Sequence, residues 1–181
     1  SQVKVMLIVS KKLRELSFGQ LMEIYMEGNQ ENGQESWPEE PEDRQLALAE
    51  QEFYNYLDQV FFRTPDAFYA VWQEAGKYVS ALRIEPFRDG MLLEALETRP
   101  DSRRRGYAKA LITGVLDKFP DVKVYSHVSK RNLASLKTHE SCGFERLLDY
   151  AVYLDGSVKQ HMVTMCFSGV LEETVANPEK V

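Results

Sequence analysis

The stretch richest in usable chemistry is Leu96-Glu97-Thr98-Arg99-Pro100-Asp101-Ser102-Arg103-Arg104-Arg105-Gly106-Tyr107-Ala108. It reads as a strand end, a turn with three consecutive arginines, then a glycine and an alanine opening an amphipathic helix. The first amides of a helix have no partner inside it and carry partial positive charge, so they bind anions. Gly106 and Ala108 leave that backbone open to close approach by a bulky anion, and a diphosphate fits there. The spacing is neither Gly-x-Gly-x-x-Gly nor Gly-x-x-x-x-Gly-Lys-Ser/Thr, so the usual dinucleotide and triphosphate loops are not indicated. Residue types alone also admit a solvated arginine turn that only caps the helix.

Placed between a strand and a helix, Arg103, Gly106 and Ala108 resemble motif A of the GNAT superfamily of N-acetyltransferases, Gln/Arg-x-x-Gly-x-Gly/Ala. Pro100 lies three residues upstream, as in many members. Asn132-Leu133-Ala134-Ser135 and Cys142-Gly143-Phe144 resemble the family's later Asn-x-x-Ala/Ser and Gly-Phe segment. The resemblance covers residues 67–167 well and residues 2–62 loosely.

The resemblance implies binding of acetyl-CoA as cosubstrate and direct acetyl transfer to a primary amine of a small molecule or peptide, with no metal required. The diphosphate is then expected on the amides that follow Arg103, those of Arg104, Arg105, Gly106, Tyr107, Ala108 and Lys109, with Asn132 also at the cofactor. The pantetheine arm runs along Leu96, Glu97 and Thr98, where strand amides polarise the thioester carbonyl. A carboxylate near the acceptor takes the ammonium proton, directly or through water. Glu94 ranks first for this role and Glu97 second, each with a solvated strand glutamate as the alternative. Relatives commonly place a tyrosine acid seven residues after the Asn, a count that arrives here at His139. An imidazole with a reference pKa of about 6.5 is mostly unprotonated at neutral pH. His139 is therefore either the acid of a modified site or a histidine on the helix surface.

These residues need elements to hold them. Apolar periodicity predicts a strand from Gln2 to Ser10, then a helix opened by a Ser17–Gln20 capping box and ended by Gly28. Residues 29–41, with Asn32-Gly33, Pro38 and Pro41, have loop composition, and a long helix runs from about Glu42 to Phe62. Strands follow at 67–73, 78–84 and 91–98, then a helix from Ala108 to Phe119. Next come a strand at 122–127, a helix from about Lys130 capped by Ser129, and a hairpin of 145–154 with 158–167. The fold class is α/β, a central mixed sheet flanked by helices. One domain over 1–168 with a polar tail, 169–181, is the expected organisation.

The 181 residues carry a net charge of −6. Seven acids and no Lys or Arg lie between Glu27 and Asp43, which leaves 21 acids against 22 bases elsewhere. This acidic connection suggests a cationic acceptor drawn in by steering, with a solvated loop as the alternative. The overall acidity counts against nucleic acid, so an RNA clamp made of Arg103, Arg104 and Arg105 ranks last. A non-catalytic CoA-binding or regulatory module of the same fold ranks second. With no apolar run of membrane length and no leader pattern, a cytoplasmic location without membrane contact is expected, and a homodimer is left open. Cys142 and Cys166 lack metal or disulfide spacing and are read as reduced packing residues.

Overall fold

The structure, a computed structural model, describes residues 3–169, so all but the first residue of the expected tail lies outside the described residues, as do Ser1 and Gln2. The chain runs β1 (Val5–Ser10), α1 (Phe18–Ile24), α2 (Met26–Ser36), α3 (Glu42–Gln59), β2 (Phe68–Glu74), β3 (Lys77–Phe87), β4 (Gly90–Thr98) and α4 (Tyr107–Lys118). It continues through β5 (Val124–Ser129), α5 (Leu133–Ser141), β6 (Glu145–Leu148), β7 (Ala151–Val152), β8 (Val158–Lys159) and β9 (Met162–Phe167). Seven strands form one mixed sheet in the order β1-β2-β3-β4-β5-β9-β6, parallel at β4–β5 and antiparallel at its other pairings. The expected α/β architecture is thus present.

Strand alternation divides the core between two faces. Phe68, Ala70, Leu82, Ile84 and Leu93 pack beneath Leu111, Ile112 and Val115 of α4 and Leu136 of α5. On the opposite face Tyr69, Val71, Tyr78 and Ala81 meet Leu21 and Ile24 of α1 and Leu57 of α3. With both faces covered, β2 is buried continuously from Phe68 to Val71, as its unbroken apolar run requires. Among the described residues no helix is long and apolar enough to cross a membrane.

Four local expectations change. Gly28 does not end a helix: α2 continues to Ser36, and the segment expected as a loop is helical over most of its length. The reason lies in α3, because a Cβ on Gly33 would meet the Gln45 carbonyl oxygen at 2.7 Å, so this glycine allows two helices to touch. At α1, Ser17 Oγ accepts from the Gln20 amide at 3.3 Å as expected, but the Gln20 side chain accepts from the Tyr78 amide instead of closing the box. The cap of α5 is Asn132, not Ser129. The terminal hairpin is interrupted: β6 pairs with β9 in the main sheet, while β7 and β8 form a separate ribbon.

Gly33→Ala is expected to destabilise the protein by about 1–3 kcal/mol, because the new methyl group must push α2 from α3. Gly28→Ala, at an exposed helical position with nothing within 4 Å of the new carbon, is expected to stabilise by about 0.5–1 kcal/mol. Urea denaturation of the pair measures both signs, and equal effects would refute the helix-contact reading of Gly33.

Candidate active site

The register of β4 against β3 takes up one extra residue between the pairs Ala81–Glu97 and Arg83–Glu94. Ala95 absorbs it with φ of +53°, a left-handed conformation that costs an L-residue about 1–2 kcal/mol. The Tyr25 hydroxyl donates to its carbonyl at 2.8 Å and holds it there. Residues three apart on a regular strand face opposite sides. Here Glu94 opposes Arg83 and Glu97 opposes Ala81, two residues apart on one face, so the bulge brings both carboxyls to the face covered by α1 and α3. β4 and β5 pair from Met91–Val124 to Leu93–Ser126 and then part, leaving Leu96, Glu97 and Thr98 along the opening.

After Thr98 the chain makes a single 3-10 turn, Pro100–Ser102, and then a tight approach to α4. Arg104 and Gly106 take φ of +64° and +80°. Gly106 sits at the helix N-cap with no side-chain cap, and a Cβ there would meet nothing within 4 Å. The amides of Tyr107, Ala108 and Lys109 therefore begin α4 as open donors, which fits the needs of a diphosphate. Arg104 and Arg105 are exposed. Arg103 lies between Glu27 of α2 and Glu97, the latter at 3.5 Å. Arg99 joins Asp101 at 3.0 Å and also pairs with Glu23 of α1, so two arginines tie this loop to the α1–α2 wall. The Tyr107 hydroxyl turns to Glu74 at the end of β2.

The two candidate bases occupy different surroundings. The Glu94 side chain is 24% exposed and faces Arg83 at 3.8 Å, with Glu85 two residues further along β3. Burial, together with Glu85, pushes it from 4.5 up to about 8 against the pull of the Arg83 guanidinium. Glu97 is also raised by burial, but the Thr98 amide and Arg103 oppose the shift. At 41% exposure its side chain is the wetter of the two.

His139 is not on the helix surface. It is 1% exposed. Its Nδ1 lies 2.7 Å from the Ser135 carbonyl, which requires a hydrogen on that nitrogen and leaves Nε2 to accept from Ser126 Oγ at 2.8 Å. Burial lowers its pKa, and the ring is neutral and engaged on both sides. The Asn132 side chain is likewise engaged, accepting from the Ser135 amide at 3.0 Å. Among the described residues no group of three or more His, Cys, Asp or Glu could hold a metal.

Arg83, Glu85, Tyr25, Tyr69 and Ser126 border the candidate residues and were not legible as site residues. Arg83 carried the one available signal: a charge between Leu82 and Ile84 on a strand buried on both faces.

The central strand β4 is thus bulged and parts from its parallel neighbour above the uncapped, glycine-opened start of α4. A sequence profile of the Acetyltransferase (GNAT) family matches residues 19–144, and the chain belongs to that family. None of the curated protein sequences matches it significantly. Solved structures share its fold. PH1933 from Pyrococcus horikoshii OT3 superposes with a TM-score of 0.63 at 16% identity, over 91% of this chain and 98% of that one. A point mutant of spermidine N-acetyltransferase from Vibrio cholerae gives 0.58 at 20% identity, over 97% and 98%. The ribosomal-protein-S18-alanine N-acetyltransferase of Escherichia coli gives 0.56 at 16%, over 90% and 93%.

Proposed function

We propose that this protein transfers the acetyl group of acetyl-CoA directly to a primary amine of a small molecule or peptide, and that the acceptor is a cation. The observation that carries this reading is Glu94, a shielded carboxyl beside the bulge where β4 leaves β5. Acetyl-CoA supplies the activated acyl carbon. The amides of Tyr107, Ala108 and Lys109, with Arg103, Arg104 and Arg105, hold its diphosphate, and the backbone of Leu96, Glu97 and Thr98 aligns its arm. Glu94 removes one proton from the bound ammonium, which frees the nitrogen lone pair for attack on the carbonyl carbon. As the carbon–sulfur bond breaks, the second proton leaves the nitrogen for the departing sulfur.

The cationic acceptor is supported by Arg103, which stands between Glu27 and Glu97. A diphosphate competes for that guanidinium and leaves two carboxylates facing the acceptor side. Glu31 and Glu35 extend the stripe along α2 at four-residue steps. The kcat/KM for di- and polyamines is expected to fall with added salt, and neutralising Glu27, Glu31 and Glu35 together is expected to raise KM more for diamines than for monoamines. Equal changes for both amine classes, without salt dependence, would remove the cationic preference.

A non-catalytic acetyl-CoA-binding module is the second reading, favoured by His139, which is buried with both ring nitrogens already engaged by Ser126 and Ser135. Release of CoA thiol that depends on added amine, assayed across an amine panel, decides between the two. Tight acetyl-CoA binding with no amine-dependent release would establish the module.

A further inference from the structure

Arg83 is an unusual residue in its setting. It sits mid-strand in β3 with a side chain 14% exposed. Its guanidinium carbon lies 5.2–5.9 Å from the ring centroids of Phe53, Tyr56, Phe61 and Tyr69. Such a cage fixes a planar cation and leaves its N–H groups to point outward. In one direction Nε faces Glu94 Oε1, and both atoms are buried without a hydrogen-bond partner. In the other, Nη1 donates to the Tyr69 hydroxyl at 3.4 Å, which donates to Tyr25 at 2.9 Å, which donates to the Ala95 carbonyl at 2.8 Å. The chain begins on a group that can only donate and ends on one that can only accept, so neither hydroxyl can reverse.

We infer that Arg83 is the positioning residue of this site, holding the Glu94 carboxyl on one side and, through Tyr69 and Tyr25, the bulge peptide on the other. The inference rests on Glu94 as the base. At 3.8 Å, Nε and Oε1 are too far apart for a hydrogen bond but form a buried ion pair, which orients the carboxyl and leaves Oε1 without a hydrogen-bond donor. The acceptor's ammonium passes one proton to the Glu94 carboxylate, giving neutral amine and a protonated carboxyl while Arg83 keeps its charge. On the other side, fixing the Ala95 carbonyl fixes the planar peptide that carries the Leu96 amide, a donor available to the thioester carbonyl.

The groups facing Glu94 are Arg83 and Glu85 on β3, Tyr56 on α3 and Tyr69 on β2, with His127 next after the last β5 pairing position. Among them Arg83 is the one fixed cation, so its removal has a defined sign. The test titrates Glu94 by carbon NMR in the free, full-length protein, with the signal assigned by Glu94→Gln, and measures pH profiles of kcat/KM beside it. Arg83→Gln is expected to raise the Glu94 pKa and Glu85→Gln to lower it, with the pH limb moving alike. Arg83→Lys, which keeps the charge but not the planar fork, is expected to leave the titration near its original position. It should lower kcat about tenfold or more, with KM for acetyl-CoA within about twofold. Tyr25→Phe is expected to lower kcat without moving the Glu94 titration.

A Glu94 titration unmoved in Arg83→Gln overturns the positioning role, even if Glu94→Gln is inactive. Full turnover in Glu94→Gln instead removes the base, while the NMR coupling stays readable. Should Arg83→Gln not fold, Arg83→Lys decides: wild-type kcat in that variant overturns the inference, and the lowered kcat with an intact titration supports it.

Discussion

Gly106→Glu is expected to abolish acetyl-CoA binding while leaving the fold in place. The residue starts α4 at φ +80°, in the left-handed region, and a carbon added there meets no neighbour within 4 Å. The fold therefore pays only the conformational term, about 1–2 kcal/mol. The ligand meets a carboxylate among the amides meant for its diphosphate, where the helix end favours anions but can accept only one. Calorimetry is expected to show affinity weakened at least a hundredfold, with thermal unfolding still cooperative. Gly106→Asn, neutral and tolerant of this conformation, separates charge from strain and is expected to lose far less. Unchanged affinity in the glutamate variant would move the diphosphate to another part of the molecule.

Turnover should respond most to Glu94. A general base contributes about 10²–10⁴-fold, so Glu94→Gln is expected to lower kcat by that order, while Glu97→Gln, beside Arg103 and in wetter surroundings, changes it little. Because Glu94 is pushed up to about 8, its basic form accumulates as pH rises through that value. The kcat/KM of the unmodified protein is expected to climb through pH 8 and level about one unit above it, and this limb should vanish in Glu94→Gln. Stability carries the opposite sign. A carboxyl that titrates near 4.5 when unfolded and near 8 when folded binds more protons in the native state between those values. Stability contributed by this group is therefore present at low pH and lost as pH rises through the window. Urea midpoints of the two proteins at pH 5 and pH 9 check this: Glu94→Gln should lose less stability over that range. A parallel loss in both proteins would contradict the shifted carboxyl.

Several parts of the site were legible without coordinates because they are local. Strand, turn and helix around Arg103, Gly106 and Ala108 lie within about a dozen residues, and the geometry of an uncapped helix start depends on those residues alone. The apolar face of α4 followed from periodicity, and Leu111, Ile112 and Val115 are buried where the period places them. The acidic run and the succession of strands and helices from β2 to α5 were equally visible.

What periodicity missed had causes far along the chain. Asn, Gly and Pro between residues 29 and 41 signal a loop, but the contact of Gly33 with Gln45 turns a breaker into a helix-packing residue. His139 reads as either an acid of the site or a surface histidine on α5, and the second reading ends where β5 brings Ser126 to its Nε2.

The sequence by itself determined that an arginine turn and a glycine-opened helix follow a strand with two glutamates, since short-range spacing and backbone chemistry suffice for that. Only the tertiary structure decided that both glutamates share one face and that Glu94 is the shielded one. Strand parity is set by pairing, and the extra residue at Ala95 exists only against β3 and under Tyr25, 70 residues away. A carboxyl's proton affinity sums burial and charge over every neighbour. The neighbours that matter for Glu94 are Glu85 and Arg83 from the adjacent strand, the latter held in a cage of rings contributed by β2 and the helical segments that precede it.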